Sequence, residues 1–275
     1  MRRRHKLTIG STAIAALVVC GLGFSASVPV VGAQASVTRV ARAEHATSAV
    51  RPPRGKPAFD ATFRGTHLNT KTWATCYFWA GPEGCTNFGN HQEAEWYLPA
   101  QVRVSRGAVH LVAQRKRTVG ASSTGARKVY RCRSGMITSY PGHKFKYGFV
   151  QIVAEIPHAN GLWPALLQGA CGREVPVLES WGVNQETGSF FHPVTGKSSR
   201  AKYSPALTRG WQTYSLSWTR TRLRYYVGSR LVLVVQKNVP HQRMYFLSDL
   251  AEYLPAKRGY CSGQLEIRSV KIWKA

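Results

Sequence analysis

Glu174 and Glu179 stand five positions apart in CGREVPVLESWG (residues 171–182), an apolar run in a 275-residue chain with only 12 acidic residues. Strand interiors seldom carry two carboxylates. In a regular strand Glu174, Pro176 and Leu178 share one side and Glu179 points to the other. A single bulge between them reverses that parity, and Pro176, which cannot donate to a ladder, is the kind of residue that marks a bulge. Both carboxyls then face one cleft. Two carboxyl groups held about 5 Å apart are what a retaining glycosidase requires, one as nucleophile and one as acid and then base. Like charges that close keep one group ionised and the other protonated near neutrality. The alternative for an isolated pair of this kind is that Glu174 meets Arg173 or another surface cation while Glu179 belongs to a loop.

Neighbouring residues supply what a sugar site needs. Trp163, in the GLWP stretch at 161–164, and Trp181 offer aromatic faces suited to stacking on the C–H plane of a sugar. His192, in GSFFHP, is placed to hydrogen-bond a carboxylate or a sugar hydroxyl. Asn90 and Glu93 or Glu95, in NHQEAEWY (90–97), add polar groups for sugar hydroxyls. Each also has a plain structural reading: core filler for Trp163, a satisfied histidine at 192, a solvated loop at 90–97.

The elements that must position these residues read as strands. From Phe59 to Ala275 short apolar runs alternate with turn residues, with no sustained helical period and no internal repeat. In YGFVQIVAEIP (147–157), Val150, Ile152, Ala154 and Ile156 alternate with Phe149, Gln151, Val153 and Glu155, so one face is buried and the other is not. Gly228-Ser229 between two strand runs is a hairpin signal. The expected fold class is all-β, one sandwich of two antiparallel sheets spanning 59–275.

The chain carries 38 Lys plus Arg and a formal net charge of +26. Arg2, Arg3, Arg4 and Lys6 followed by the apolar run from Leu7 to Val31 read as a secretory signal peptide over 1–35, with cleavage after Ala35 in Ala33-Gln34-Ala35 and Ser27 as the other possible site. Residues 36–58 mix Arg, Ala, Ser and Pro without an apolar period, a basic flexible linker. The expected product is secreted, without a stable membrane span after cleavage, and monomeric. Such a charge favours anionic partners, and anionic cell-wall polymers suit secretion. No helix-turn-helix, zinc-finger or aromatic-basic signature points to nucleic acid. Five cysteines remain after cleavage, at 76, 85, 132, 171 and 261. Cys76 with Cys85 is the first pairing expected and Cys171 with Cys261 the second, leaving Cys132 free. No spacing suggests zinc, and no cofactor is expected.

Taken in order, these segments resemble family 16 of the glycoside hydrolases, the β-glucanase, agarase and carrageenase group with a concanavalin A-like β-jelly-roll. Phe59-Asp60 with Phe63, Gly65 and Trp73 is similar to the opening strand and turn, and Asn90–Tyr97 to the N-x-E-x-x-Y segment. SGMITS (134–139) followed by FKYG (145–148) resembles the SGxIxS and YG pair, and GLWPA (161–165) matches residue for residue. The resemblance implies Glu174 as nucleophile and Glu179 as acid/base of a bulged E-x-D-x-x-E strand, His192 as a cleft histidine, and Trp218 as the tryptophan of a Y-x-x-x-W strand. It implies a secreted, endo-acting retaining β-glycanase or transglycosylase on a β-linked polysaccharide. The chain departs from the pattern at Pro176, which stands where the family carries Asp, so an inactive glycan- or wall-binding module of the same fold is the alternative. Arg268 replaces an Asp that often serves a structural calcium site, so no metal is expected.

Overall fold

The structure, a computed structural model, describes residues 50–77, 93–122, 124–159, 161–170, 173–180, 188–194, 197–203, 209–253 and 261–275, with the backbone alone at 167, 168, 170, 173, 174, 188–194 and 197–203. The larger sheet contains β1 (Phe59–Thr62), β2 (Glu95–Tyr97), β3 (Val102–Ser105), β4 (Ala108–Ala121) and β5 (Arg127–Ser134). The smaller sheet begins with β6 (Met136–Thr138), and the larger resumes with β7 (Gly148–Glu155). The smaller then takes β8 (Leu162–Ala170), β9 (Arg173–Glu179), β10 (Gly188–Val194) and β11 (Lys197–Tyr203). The chain crosses back for β12 (Gln212–Trp218), β13 (Leu223–Val227) and β14 (Arg230–Val235), crosses again for β15 (Tyr245–Glu252), and closes with β16 (Ser262–Trp273).

The larger sheet runs β14-β13-β12-β7-β16-β4-β5-β2, with β1 on β16 and β3 on β4; the smaller runs β11-β10-β9-β8-β15-β6. The expected all-β sandwich of two sheets is present, and nearly every pairing is antiparallel, β2 with β5 being parallel. Alternation builds the layer between the sheets. Val150, Ile152 and Ala154 of β7 turn inward with Leu216 of β12 and Ile267 and Val270 of β16, meeting Leu162, Leu166, Val175 and Leu250 from the smaller sheet. Gly228 and Ser229 make the two-residue turn between β13 and β14, with Gly228 at φ 57° as a tight hairpin turn needs.

The Tyr147-Gly148 pair has a steric reason. At φ 121° Gly148 lies so close to β16 that a Cβ would fall 1.9 Å from the Trp273 carbonyl oxygen, so only glycine lets β7 start there.

The cysteine expectation is corrected. Cys132 and Cys261 form a disulfide with Cα atoms 5.7 Å apart, across 129 residues of sequence. Register explains the pairing: Ser262 pairs with Gln114, and Gln114 with Arg133, which brings Cys261 and Cys132 to one level of the sheet. Cys132 is therefore not free, and Cys261 is not joined to Cys171. Cys76 is also disulfide-bonded; Cys85 and Cys171 lie outside the described residues.

Candidate active site

The register between β8 and β9 decides the fate of the two glutamates. Leu166 pairs with Leu178 but Leu167 pairs with Pro176, so Val177 is an extra residue and β9 is bulged there. Glu179 then pairs with Ala165 and Glu174 with Gly169. Those partners are four apart on β8, so positions 174 and 179 fall on the same face of the sheet although five residues separate them. Pro176, buried, pairs midway between them, at the edge of the bulge where a strand tolerates proline.

That face is turned away from the layer between the sheets. Val175, Val177 and Leu178 point into the main core, whereas Ala165 belongs to a separate cluster with Tyr77, Tyr97, Met136, Tyr245 and Leu247. Glu179 is 7% exposed, and its Oε1 accepts a 2.8 Å hydrogen bond from the indole N–H of Trp163. An indole can only donate.

The Trp163 ring is 7% exposed and packs edge-on against Tyr253, with centroids 5.7 Å apart. It holds the Glu179 carboxyl in place. Glu93 forms an isolated bridge with Tyr253 at the edge of the same region. Position 174 is described by its backbone. His192 lies on β10, paired with Ser199 of β11 and three residues from Ser189, the β10 partner of Glu179; alternation puts position 192 on the other face from position 189. Asn90 and Trp181 lie outside the described residues.

Further groups share this region: Glu95 and Tyr97, from the polar and aromatic segment 90–97, and Asp249 and Glu252, which sequence reasoning missed. Asp249 of β15 pairs with Ala165, hence in line with Glu179, and accepts a 3.1 Å hydrogen bond from the Tyr77 hydroxyl. Glu95 is completely buried. Burial pushes its carboxyl up to about 7, against the opposing pull of the Glu252 backbone N–H, which donates to Oε2 at 2.6 Å, and of a hydrogen bond with Glu93. Burial first, and then the charges of Asp249, Glu95 and Glu93, hold the Tyr97 hydroxyl well above the usual tyrosine range. Burial also raises Glu252, partly offset by the Arg115 charge. No local motif announces Asp249 or Glu252, because β2, β8, β9 and β15 come from distant parts of the chain.

Cys132, Glu252 and Cys261 bring ligand-type atoms within 4.8 Å of one another. Both sulfurs are consumed by their disulfide, so the group does not suit a metal ion. Arg268 lays its guanidinium 3.8 Å from the centroid of the Trp211 ring.

The two-sheet sandwich is matched by the comparisons. The family model described as "Glycosyl hydrolases family 16" covers residues 90–250, more than half of the chain. The chain belongs to glycosyl hydrolase family 16. Among its relatives is an endo-1,3-1,4-β-glycanase, EglC, of Rhizobium meliloti strain 1021, 27% identical over 200 residues that span 65% of this chain and 42% of that protein. Another is a β-glucanase of Rhodothermus marinus, 24% identical over 56% of this chain and 57% of that one. The chain thus spans well under two thirds of the length of these curated relatives. Of solved structures, the laminarinase from Rhodothermus marinus has a TM-score of 0.66 at 18% identity, over 82% of this chain and 99% of that one. The laminarinase catalytic domain from Thermotoga petrophila RKU-1 gives 0.65 at 18%, over 79% and 96%.

Proposed function

We propose that this protein is a secreted, endo-acting β-glycan hydrolase working with retention, with Glu174 as nucleophile, Glu179 as acid and then base, and a β-1,3- or mixed β-1,3-1,4-glucan as substrate. The observation that carries this reading is the Val177 bulge, which returns both glutamate positions to one face. Positions four apart on the facing strand are roughly 13 Å apart along the backbone. Two glutamate side chains leaning toward the position between them can bring their carboxyls to the ~5 Å of a retaining pair. Glu179, fixed through Oε1 by Trp163, protonates the leaving oxygen while Glu174 attacks the anomeric carbon. Water then enters with Glu179 as base. Relatives named for β-1,3- and β-1,3-1,4-glucan support the substrate choice.

The test is activity of Glu174→Gln and Glu179→Gln on laminarin and mixed-linkage glucan, with the anomer of the first product followed by NMR. A loss of about a thousandfold or more in each, with β-product from wild type, is expected. Wild-type turnover in either variant ends the assignment.

One observation favours a second reading, a binding module without chemistry: the residue between the glutamates is a buried proline, with neither charge nor side-chain hydrogen bond to set their protonation. Pro176→Asp distinguishes the two. A module without chemistry binds oligosaccharide and stays inert in both forms, whereas an enzyme turns over as wild type and gains from the added carboxyl.

A further inference from the structure

The β4–β5 hairpin carries charge that the cleft does not use. Between Ala108 and Ser134 the chain has seven Lys or Arg and no Asp or Glu. Strand β5 alternates cleanly: Tyr130, Cys132 and Ser134 are buried, whereas Arg127, Val129 and Arg131 are exposed and Arg133 half-buried. Three arginines therefore share one face of one strand, with same-face neighbours roughly 7 Å apart. On β4 the register slips between Arg115 and Thr118, and Lys116 and Arg117 are exposed. Val119 and Val129, 49% and 47% exposed, pair across the two strands between these cations. The opposite face is closed, because Trp96 packs against Tyr130 and a Cβ on Gly120 would strike its ring at 2.4 Å.

Arg115 acts on Glu252; no ion pair joins Arg127, Arg131 or Arg133 to an acid among the described residues. Lys128 instead lies over the Tyr130 ring at 4.6 Å, and Arg133 donates to Gln114. Uncompensated like charge on one face repels itself and fits a partner that is anionic along its length. Proteins that hold nucleic acid strands add aromatic stacking to charge, and sugar rings of a polyuronate also call for an aromatic plate. The outward residues of β5 are three arginines and a valine, with no ring. Guanidinium forks match phosphate oxygens, and the paired valines suit a thin aliphatic stem.

We propose that the outward face of the β4–β5 hairpin docks a linear polyol phosphodiester polymer, holding the protein on it independently of what the cleft does. The probe is purified poly(glycerol phosphate), with polygalacturonate and a single-stranded oligonucleotide as competitors. The triple variant Arg127→Gln, Arg131→Gln, Arg133→Gln is expected to bind about tenfold or more weakly at low salt, with a salt slope shallower by about two to three. A control removing the same charge from exposed sites elsewhere, Arg64→Gln, Arg103→Gln, Arg220→Gln, is expected to change affinity less than about threefold. In the wild-type chain, hydrogen exchange with the polymer bound is expected to slow over 127–133, a readout that does not depend on the variants folding. Equal losses in both triples, no protection of β5, or tighter binding of either competitor overturns the proposal.

Discussion

Glu95 and Trp163 act on the site in different ways. Glu95 has a folded value of about 7 against 4.5 for the free side chain, so the folded state holds its proton longer than the unfolded one. Its contribution to stability is intact below about pH 4.5 and is lost as pH rises through 7, which amounts to about 3 kcal/mol. Glu95→Gln cannot ionise. Thermal melts of the two proteins should therefore diverge between pH 4.5 and 7.5, the variant becoming the more stable at the upper end; parallel curves would contradict the buried carboxyl. Trp163 bears on chemistry instead. Trp163→Phe keeps the ring packed on Tyr253 but removes the donor to Glu179 Oε1. We expect kcat to fall about tenfold or more while stability changes by about 1 kcal/mol, with the pH–rate limb governed by Glu179 moving upward because the ionised carboxyl loses its partner. An unchanged pH profile would make Trp163 a packing residue only.

Strand β9 works as a unit with β8, and strand β7 with β16. The bulge at Val177 makes an odd spacing of glutamates behave as an even one, and the same irregularity accommodates a proline inside a sheet. At the start of β7, Gly148→Ala would drive a methyl into the Trp273 carbonyl and impose φ 121° on a residue with a Cβ. A loss of about 3 kcal/mol or more is expected in a urea titration, because backbone on both sides resists moving. A loss below about 1 kcal/mol would show that β16 can yield.

Over the whole molecule, charge is segregated. Five of the chain's 12 acids, Glu93, Glu95, Glu179, Asp249 and Glu252, come from separated segments to the region around Tyr97 and Trp163, in a chain of net charge +26. Seven of the cations lie on the β4–β5 hairpin. The Cys132–Cys261 disulfide ties that hairpin to the start of the last strand. In the chain-entropy model, closing 129 residues restrains the unfolded chain by about 4–5 kcal/mol. The double variant Cys132→Ser, Cys261→Ser should lower the urea midpoint accordingly, and reduction of wild type should reproduce much of the loss. If neither moves the midpoint, the unfolded chain is already restrained elsewhere.

The sequence by itself determined the fold class, since alternation at Val150, Ile152 and Ala154 and the Gly228-Ser229 turn are local signals set by strand pleat and backbone sterics. Motif order along the chain determined the family, and the proline between Glu174 and Glu179 already hinted at a bulge. The tertiary structure alone decided which residue is extra, because register is a property of two strands: Val177 is identified only by what Leu166 and Leu167 pair with across β8. Pairing of Cys132 with Cys261 was hidden for the same reason, the two being close only through an intervening strand. The burial of Trp163 was not legible, because a sequence shows aromatic character but not exposure. Its hydrogen bond to Glu179 is likewise a product of the tertiary structure. Asp249 carried no motif at all, and Glu95 showed only as one of the acids of the 90–97 segment, for what makes them matter is the low-dielectric surroundings that four distant strands build around them.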